Sequence, residues 1–220
     1  IWKYAAAGII ALVLTAILTA HQYTTTIISK RGEYQSFILP DQSHVNLNAE
    51  SKLSYKPYWW FFSRDVRLQG EACFKVKSGS RFRVTSGKNS ANVVGTIFNV
   101  FARREIYRVT CLAGTIEVSA NNETVTLKPD MQVTYRKKER ILDENINSVQ
   151  STAWVQDKFA FLGTPLVEVI AEIERRYDIH ISAVENPDFT FTGNFPKTDR
   201  PEDVLEIIGK PFGIAFKIEK

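Results

Sequence analysis

Gly95-Thr96 is the pair in this chain whose residue types and order could break a covalent bond. A threonine hydroxyl can attack the carbonyl before it in an N-to-O acyl shift, which needs a strained peptide and an activating group. The pair lies in Val94-Gly95-Thr96-Ile97-Phe98-Asn99-Val100, where a glycine bulge followed by a strand threonine accounts for the same letters. Elsewhere the residue types are present without the spacing. His21, His44 and His180 share no ligand interval, so neither a metal nor a cofactor is expected. Glycine and lysine never come in phosphate-loop order, and no Ser-His-Asp set stands out. Glu71 is a carboxylate inside a strand phrase, and its expected role is pairing with a Lys or Arg across the sheet. The expectation is a protein that is not an enzyme.

Two segments could bind instead. Tyr55-Lys56-Pro57-Tyr58-Trp59-Trp60-Phe61-Phe62 carries five aromatics in a row, and five cannot all face inward on a strand. Tyr58, Trp59, Trp60 and Phe61 are therefore candidates for partner docking or sugar stacking, with a seam between domains as the competing explanation. Phe189-Thr190-Phe191-Thr192 reads as a strand whose open edge could receive another strand through main-chain bonds; an ordinary half-buried strand fits the same pattern.

These groups have to be placed by elements of three kinds. Residues 4 to 20 hold no charge and no proline, and Trp2, Lys3 and Tyr23 flank them. Seventeen helical residues span roughly 25 Å, close to the ~30 Å hydrocarbon core, and aromatics at both borders suit the interfacial belts. A transmembrane helix with its flank is expected over residues 1–23; a cleaved signal peptide is the rival, weakened by the length of the apolar run and by Leu18 near the would-be cleavage position.

From Ile27 to about Arg140 the pattern has period two. Short strands are expected at 66–68, 72–76, 82–84, 93–101, 107–112, 115–118, 125–127 and 132–135, separated by Gly70, Gly79, Gly87, Gly114, Asn121-Asn122 and Pro129-Asp130. Residues 24–140 therefore form an all-β domain, a barrel, sandwich or solenoid. Cys73 falls on the outward row with Glu71 and Lys75 and Cys111 on the inward row, which argues against a disulfide. Net charge is +4, but 28 basic residues are mixed with 24 acidic ones. The one dense basic run, Arg136-Lys137-Lys138-Glu139-Arg140, reads as a solvated turn, and no nucleic-acid partner is expected.

A polar linker is expected over 141–153, after which the period changes. Thr164-Pro165 reads as N-cap and N1 of a helix whose apolar face is Leu166, Val169, Ile170, Ile173 and Tyr177, with Glu172 and Arg176 paired on the solvent side. A second proline-started helix begins at Pro201, and strands are expected at Ile179–Ile181, Phe189–Gly193 and Ile214–Ile218. The halves align, Pro165 with Pro201 and Val169 with Leu205, as a β-α-β-β-α-β duplication over 154–220. The expected class is mainly β with a small α+β domain.

The ordered phrases Leu39-Pro40-Asp41-x-Ser43-x-Val45-x-Leu47-Asn48-Ala49, Leu68-x-Gly70-Glu71-Ala72-x-Phe74-x-Val76, Phe82-x-Val84 and Val94-Gly95-Thr96-x-Phe98-Asn99-Val100 resemble the FecR family of transmembrane anti-sigma regulators. From Trp154 onward the chain is similar to the short N-terminal domain of secretins and TonB-dependent receptors. Gln42 stands where the family usually has glycine, and Cys73 where it more often has an aromatic residue. The resemblance implies a single pass through a bacterial inner membrane, with the bulk of the chain in the periplasm. It also implies two partners: the signalling domain of an outer-membrane TonB-dependent receptor, and an extracytoplasmic-function sigma factor held by a cytoplasmic segment preceding Ile1. Self-cleavage at Gly95-Thr96 is an activity that the same resemblance raises. A membrane-anchored carbohydrate-binding β domain is the alternative the aromatic run would serve.

Overall fold

The computed structural model describes residues 2–137, 139–182 and 188–219, and is mainly β, with 46% strand and 25% helix. Ile1 and Lys138, each part of an expectation above, lie outside the described residues. Helix α1 (Trp2–Gln22) leads into β1 (Thr25–Ser29), β2 (Gln35–Ile38), β3 (His44–Leu47) and β4 (Ser51–Tyr55). A 3-10 turn at Pro57–Trp59 precedes β5 (Arg64–Lys75), β6 (Phe82–Ser86), β7 (Asn89–Val93), β8 (Ile97–Arg103) and β9 (Ile106–Ala113). Then come β10 (Ile116–Ala120), β11 (Glu123–Leu127), β12 (Met131–Arg136) and β13 (Glu139–Asp143). All thirteen strands belong to one curled half-barrel sheet.

β5 organises that sheet. Its first half pairs with β4 and, in parallel, with β6; its second half pairs with β3 and β8. The expectation of two short strands divided by Gly70 therefore gives way to one strand bent at Gly70. There φ is +101°, and an added Cβ would lie 2.3 Å from Ser51 Oγ. A left-handed bend this close to another backbone admits only a residue without a side chain. Ser51 Oγ accepts the Glu71 N–H at 3.0 Å, so the bend leaves no main-chain donor orphaned. The expected strand 93–101 is instead two, because Gly95 passes Ser78 with room for no Cβ: one would meet Ser78 Cα at 2.9 Å.

Alternation did locate the core. Val45, Leu47, Leu53, Val66, Leu68, Ala72, Phe74, Phe82, Val84, Phe98 and Val100 are all buried in one cluster. Phe74 stacks on Phe98 at 5.1 Å. Gln42, at the family's glycine position, has φ +70°, the left-handed conformation that glycine suits. Asp41 closes that turn by accepting from Ser43 N at 3.0 Å and from Arg64 Nη1 at 2.7 Å.

The second unit contains β14 (Lys158–Pro165), α2 (Leu166–Tyr177), β15 (His180–Ile181), β16 (Thr190–Pro196), α3 (Pro201–Gly209) and β17 (Ile218–Glu219). The order is the expected β-α-β-β-α-β, but the last strand, expected over Ile214–Ile218, is only β17 at Ile218–Glu219, after irregular backbone over residues 214–217. Pairing makes the duplication visible, since the first strands of the two halves pair with each other (β14 with β16) and so do the second strands (β15 with β17). Leu166, Val169, Ile170 and Ile173 of α2 meet Val204, Leu205 and Ile208 of α3 in a separate core. Pro165 is the N-cap of α2 and not its first residue, as β14 runs up to it; the N–H of Leu166 is taken by Phe189 O at 2.7 Å. Between the units, the stretch expected to be a plain linker is tied down. Ser148 Oγ donates to Asp130 at 2.6 Å, and Trp154 is buried.

Among the described residues no helix is long and apolar enough to cross a membrane. The side chains of Trp2, Lys3, Ala5 and Ala7 are outside the description. Those of Ile9, Leu12, Leu14, Ile17 and Leu18 are exposed.

Candidate functional site

Helix α2 has a second face. Glu168, Glu172 and Arg175 follow at four and three residues, so they form a stripe beside the apolar one. In a lone helix such a stripe would be solvated. Here it lies on the first domain, and the expected solvent-side pair of Glu172 with Arg176 does not form. Glu172 bonds to Arg175 Nη2 at 2.7 Å, while Arg176, buried, donates to Lys158 O at 2.6 Å.

Three straps fix α2 to the sheet. At its N-terminal end Glu168 is held by Arg136 and, at 3.7 Å, by Arg108. Midway, Asn48 Nδ2 donates to Glu172 at 3.1 Å and to Glu71 at 2.7 Å. At the C-terminal end Arg31 Nη2 donates to Glu174 O at 2.9 Å and, just past the helix, to Ile179 O at 2.8 Å, and Gly32 N donates to Arg175 O at 2.7 Å. A guanidinium is also the sign of charge that a helix C-terminus favours.

Glu71, expected to pair with a cation across a strand, accepts instead from two amides, Asn48 and Asn99, the latter at 2.8 Å. It sits on the outward row with Cys73, as parity requires, yet both are buried, Glu71 under the Asn48 amide that also holds Glu172 of the second domain. Burial, with the nearby Glu172 charge, pushes the Glu71 carboxyl above the usual range. Burial acts on Glu172 in the same sense, but the Arg175 and Arg103 guanidinia outweigh it and hold Glu172 low. Burial pushes the Cys73 thiol up to about 12, so it is no nucleophile; Cys73 and Cys111 are both free. A cleft of about 710 Å³ opens beside the seam, lined by Arg31, Glu50, Arg103, Arg104, Glu174 and Arg175 among others. Of these groups Arg31 bonds across to the second domain, while Arg103 is spent on Ala49 O, Glu50 O and Ser51 within the first and Arg175 on Glu172 within α2.

The other candidates are dispersed. Thr96 is buried and its hydroxyl donates to Thr115 O at 3.0 Å. β16 pairs with β14 alone among the described residues, leaving one edge open. Phe191 of that strand is buried while Thr190 and Thr192 are exposed; Phe189, just before it, stacks on Phe212 at 4.8 Å. The aromatic run is not on a strand and not at the domain seam. Trp60 turns into the core against Tyr55 at 5.4 Å, and Trp59 meets His21 of α1. Tyr58, Phe61 and Phe62 stay exposed. The straps on α2 escaped sequence reasoning because Arg31 carries no local pattern, Asn48 fell inside a strand phrase, and the spacing of Glu172 pointed to Arg176 instead.

Comparison with known proteins agrees with this two-unit reading. The family model described as FecR protein matches residues 25–117, and that described as FecR, C-terminal, matches residues 158–220. Two crystal structures of a candidate anti-sigma factor from Parabacteroides distasonis ATCC 8503 superimpose on the chain with TM-scores of 0.81 and 0.82, each at 28% identity. They cover 90% and 89% of this chain and 96% and 95% of their own. No curated protein matches.

Proposed function

The chain belongs to the FecR family of anti-sigma regulators, and from that premise we propose that it is the membrane-spanning and periplasmic part of a relay acting by protein binding. In this reading α1 crosses the inner membrane once, and the two domains receive a signal from the signalling domain of an outer-membrane TonB-dependent receptor. A cytoplasmic segment upstream passes the signal to an extracytoplasmic-function sigma factor. The observation that carries the reading is the strapping of α2. A receiver must move something when it is bound, and the second domain is joined to the sheet along a charged seam, not an apolar one. Polar seams between domains of one chain are the kind that can separate and reform. The turn between β4 and β5 in turn touches the end of α1, Trp59 on His21 and Tyr58 on Tyr23 just past it, so a path of contacts runs from β16 to that helix.

A receptor domain adding a strand at the open edge of β16 would obtain affinity from the main chain and selectivity from Thr190 and Thr192. Calorimetric titration of the full chain in detergent with purified receptor signalling domains tests this. One-to-one binding that Thr190→Lys abolishes is the expected result. Absence of heat with every receptor domain of the host, or binding indifferent to Thr190→Lys, overturns it.

A further inference from the structure

Phe61 is 93% exposed, Phe62 71% and Tyr58 66%, a combination rare on a soluble surface. They belong to Pro57-Tyr58-Trp59-Trp60-Phe61-Phe62, six residues without a charge. The turn is held rigid from behind, because Trp60 is buried and packs edge-on against Phe82 at 5.9 Å. Its position is the second observation. Trp59 meets the His21 ring at 4.6 Å and Tyr58 meets Tyr23 at 5.2 Å, so the exposed rings stand beside the last turn of α1. That helix is apolar around its circumference: Ile9, Ile10, Leu12, Val13, Leu14, Ile17 and Leu18 are consecutive enough to cover every face, and all are exposed.

We propose that Tyr58, Phe61 and Phe62, with Tyr23, form a membrane-docking pad that inserts into the leaflet from which α1 emerges and so fixes the tilt of the first domain on the lipid surface. The proposal rests on the reading of α1 as a membrane span. Rings with an apolar body and, in Tyr, a polar tip are the groups that settle at the headgroup boundary. Two contacts to the bilayer, a helix and a pad, leave the domain far less rotational freedom than a helix alone. Movement passed down the seam would then reach α1 as a change of angle and not be lost in tumbling.

The test uses the full chain reconstituted in vesicles of phosphatidylethanolamine and phosphatidylglycerol. A nitroxide is placed at Phe62→Cys or at Lys88→Cys; native Cys73 and Cys111 are buried and do not compete. Lys88 is exposed beyond the far end of β6, which runs parallel to β5 away from the pad. The label at 62 is expected to collide with oxygen in preference to a water-soluble nickel chelate, and the label at 88 to show the reverse. If alkaline carbonate leaves the chain in the vesicles but both labels are equally wet, the pad is overturned and the span stands. Extraction by carbonate overturns the span and the pad with it. A label at 62 shielded from both reagents, with spin–spin broadening that grows with protein density, shows a second copy on this face and also overturns the lipid assignment.

Discussion

Glu71 and Glu172, one from each domain, hang on the same amide: Asn48 Nδ2 lies 2.7 Å from the first and 3.1 Å from the second. Two buried carboxylates this near resist ionising together, and the arginines decide which one yields. Arg175 binds Glu172 directly, so Glu172 keeps its charge and Glu71 keeps the proton longer.

The pH dependence follows from the two directions. Glu71, raised in the folded state, contributes stability that is complete below the ordinary glutamate value and lost as pH rises through its folded value. Glu172, lowered, contributes stability present above the ordinary value and lost only when pH falls through its folded value. Glu71→Gln removes the first loss and leaves the second. The difference in melting temperature between variant and parent should therefore move in the variant's favour from about pH 4 to about pH 7. Parallel curves across that range would contradict the assignment.

Arg31→Met tests the strap at the C-terminal end of α2. Its ion pairs with Asp178 and Glu50 are partly exposed and contribute little. The two bonds to main-chain carbonyls, Glu174 O in α2 and Ile179 O just past it, matter more, at about 1 to 2 kcal/mol together. The expected outcome is a loss of that size in urea unfolding, with a larger radius of gyration in X-ray scattering as the second domain swings away. An unchanged radius would mean the other straps suffice.

Gly70→Ala asks more of the fold. The new methyl would sit within 2.8 Å of Ser51 Cα at a φ of +101°, so both the strain and the clash are in backbone, which cannot step aside. About 2 to 4 kcal/mol of destabilisation is expected, read as a lower denaturant midpoint. A midpoint equal to the parent's would show that β5 can run straight there.

What local pattern could and could not reveal is clearest in two places. Val66, Leu68, Ala72 and Phe74 alternate, and alternation alone puts them inside. Gly70 between them looks like a break between strands, because a corner and a terminus call for the same residue; only the pairing of β5 with four other strands distinguishes them. Glu172 and Arg176 are spaced as a solvated pair would be. Nothing within a dozen residues reports that Asn48, 124 positions away, lies on that face. Period reads burial against the element's own core; burial against another domain leaves no periodic trace.

Thr96 bears on the one bond-breaking reaction raised for this chain. The acyl shift requires Oγ1 to lose its proton while facing the Gly95 carbonyl carbon. Instead Oγ1 donates to Thr115 O at 3.0 Å, and a carbonyl oxygen cannot serve as the base. No carboxylate or imidazole among the described residues hydrogen-bonds that hydroxyl, and Glu71, the buried carboxyl of the same sheet, is committed to Asn48 and Asn99. Gly95 itself is not in a left-handed conformation, so the peptide carries no backbone strain of that kind. Prolonged incubation of the purified chain from Thr24 onward should give a single intact mass, identical in behaviour to Thr96→Ala. Two fragments meeting between Gly95 and Thr96, absent in Thr96→Ala, would show that the hydroxyl leaves Thr115 and that the sheet opens there.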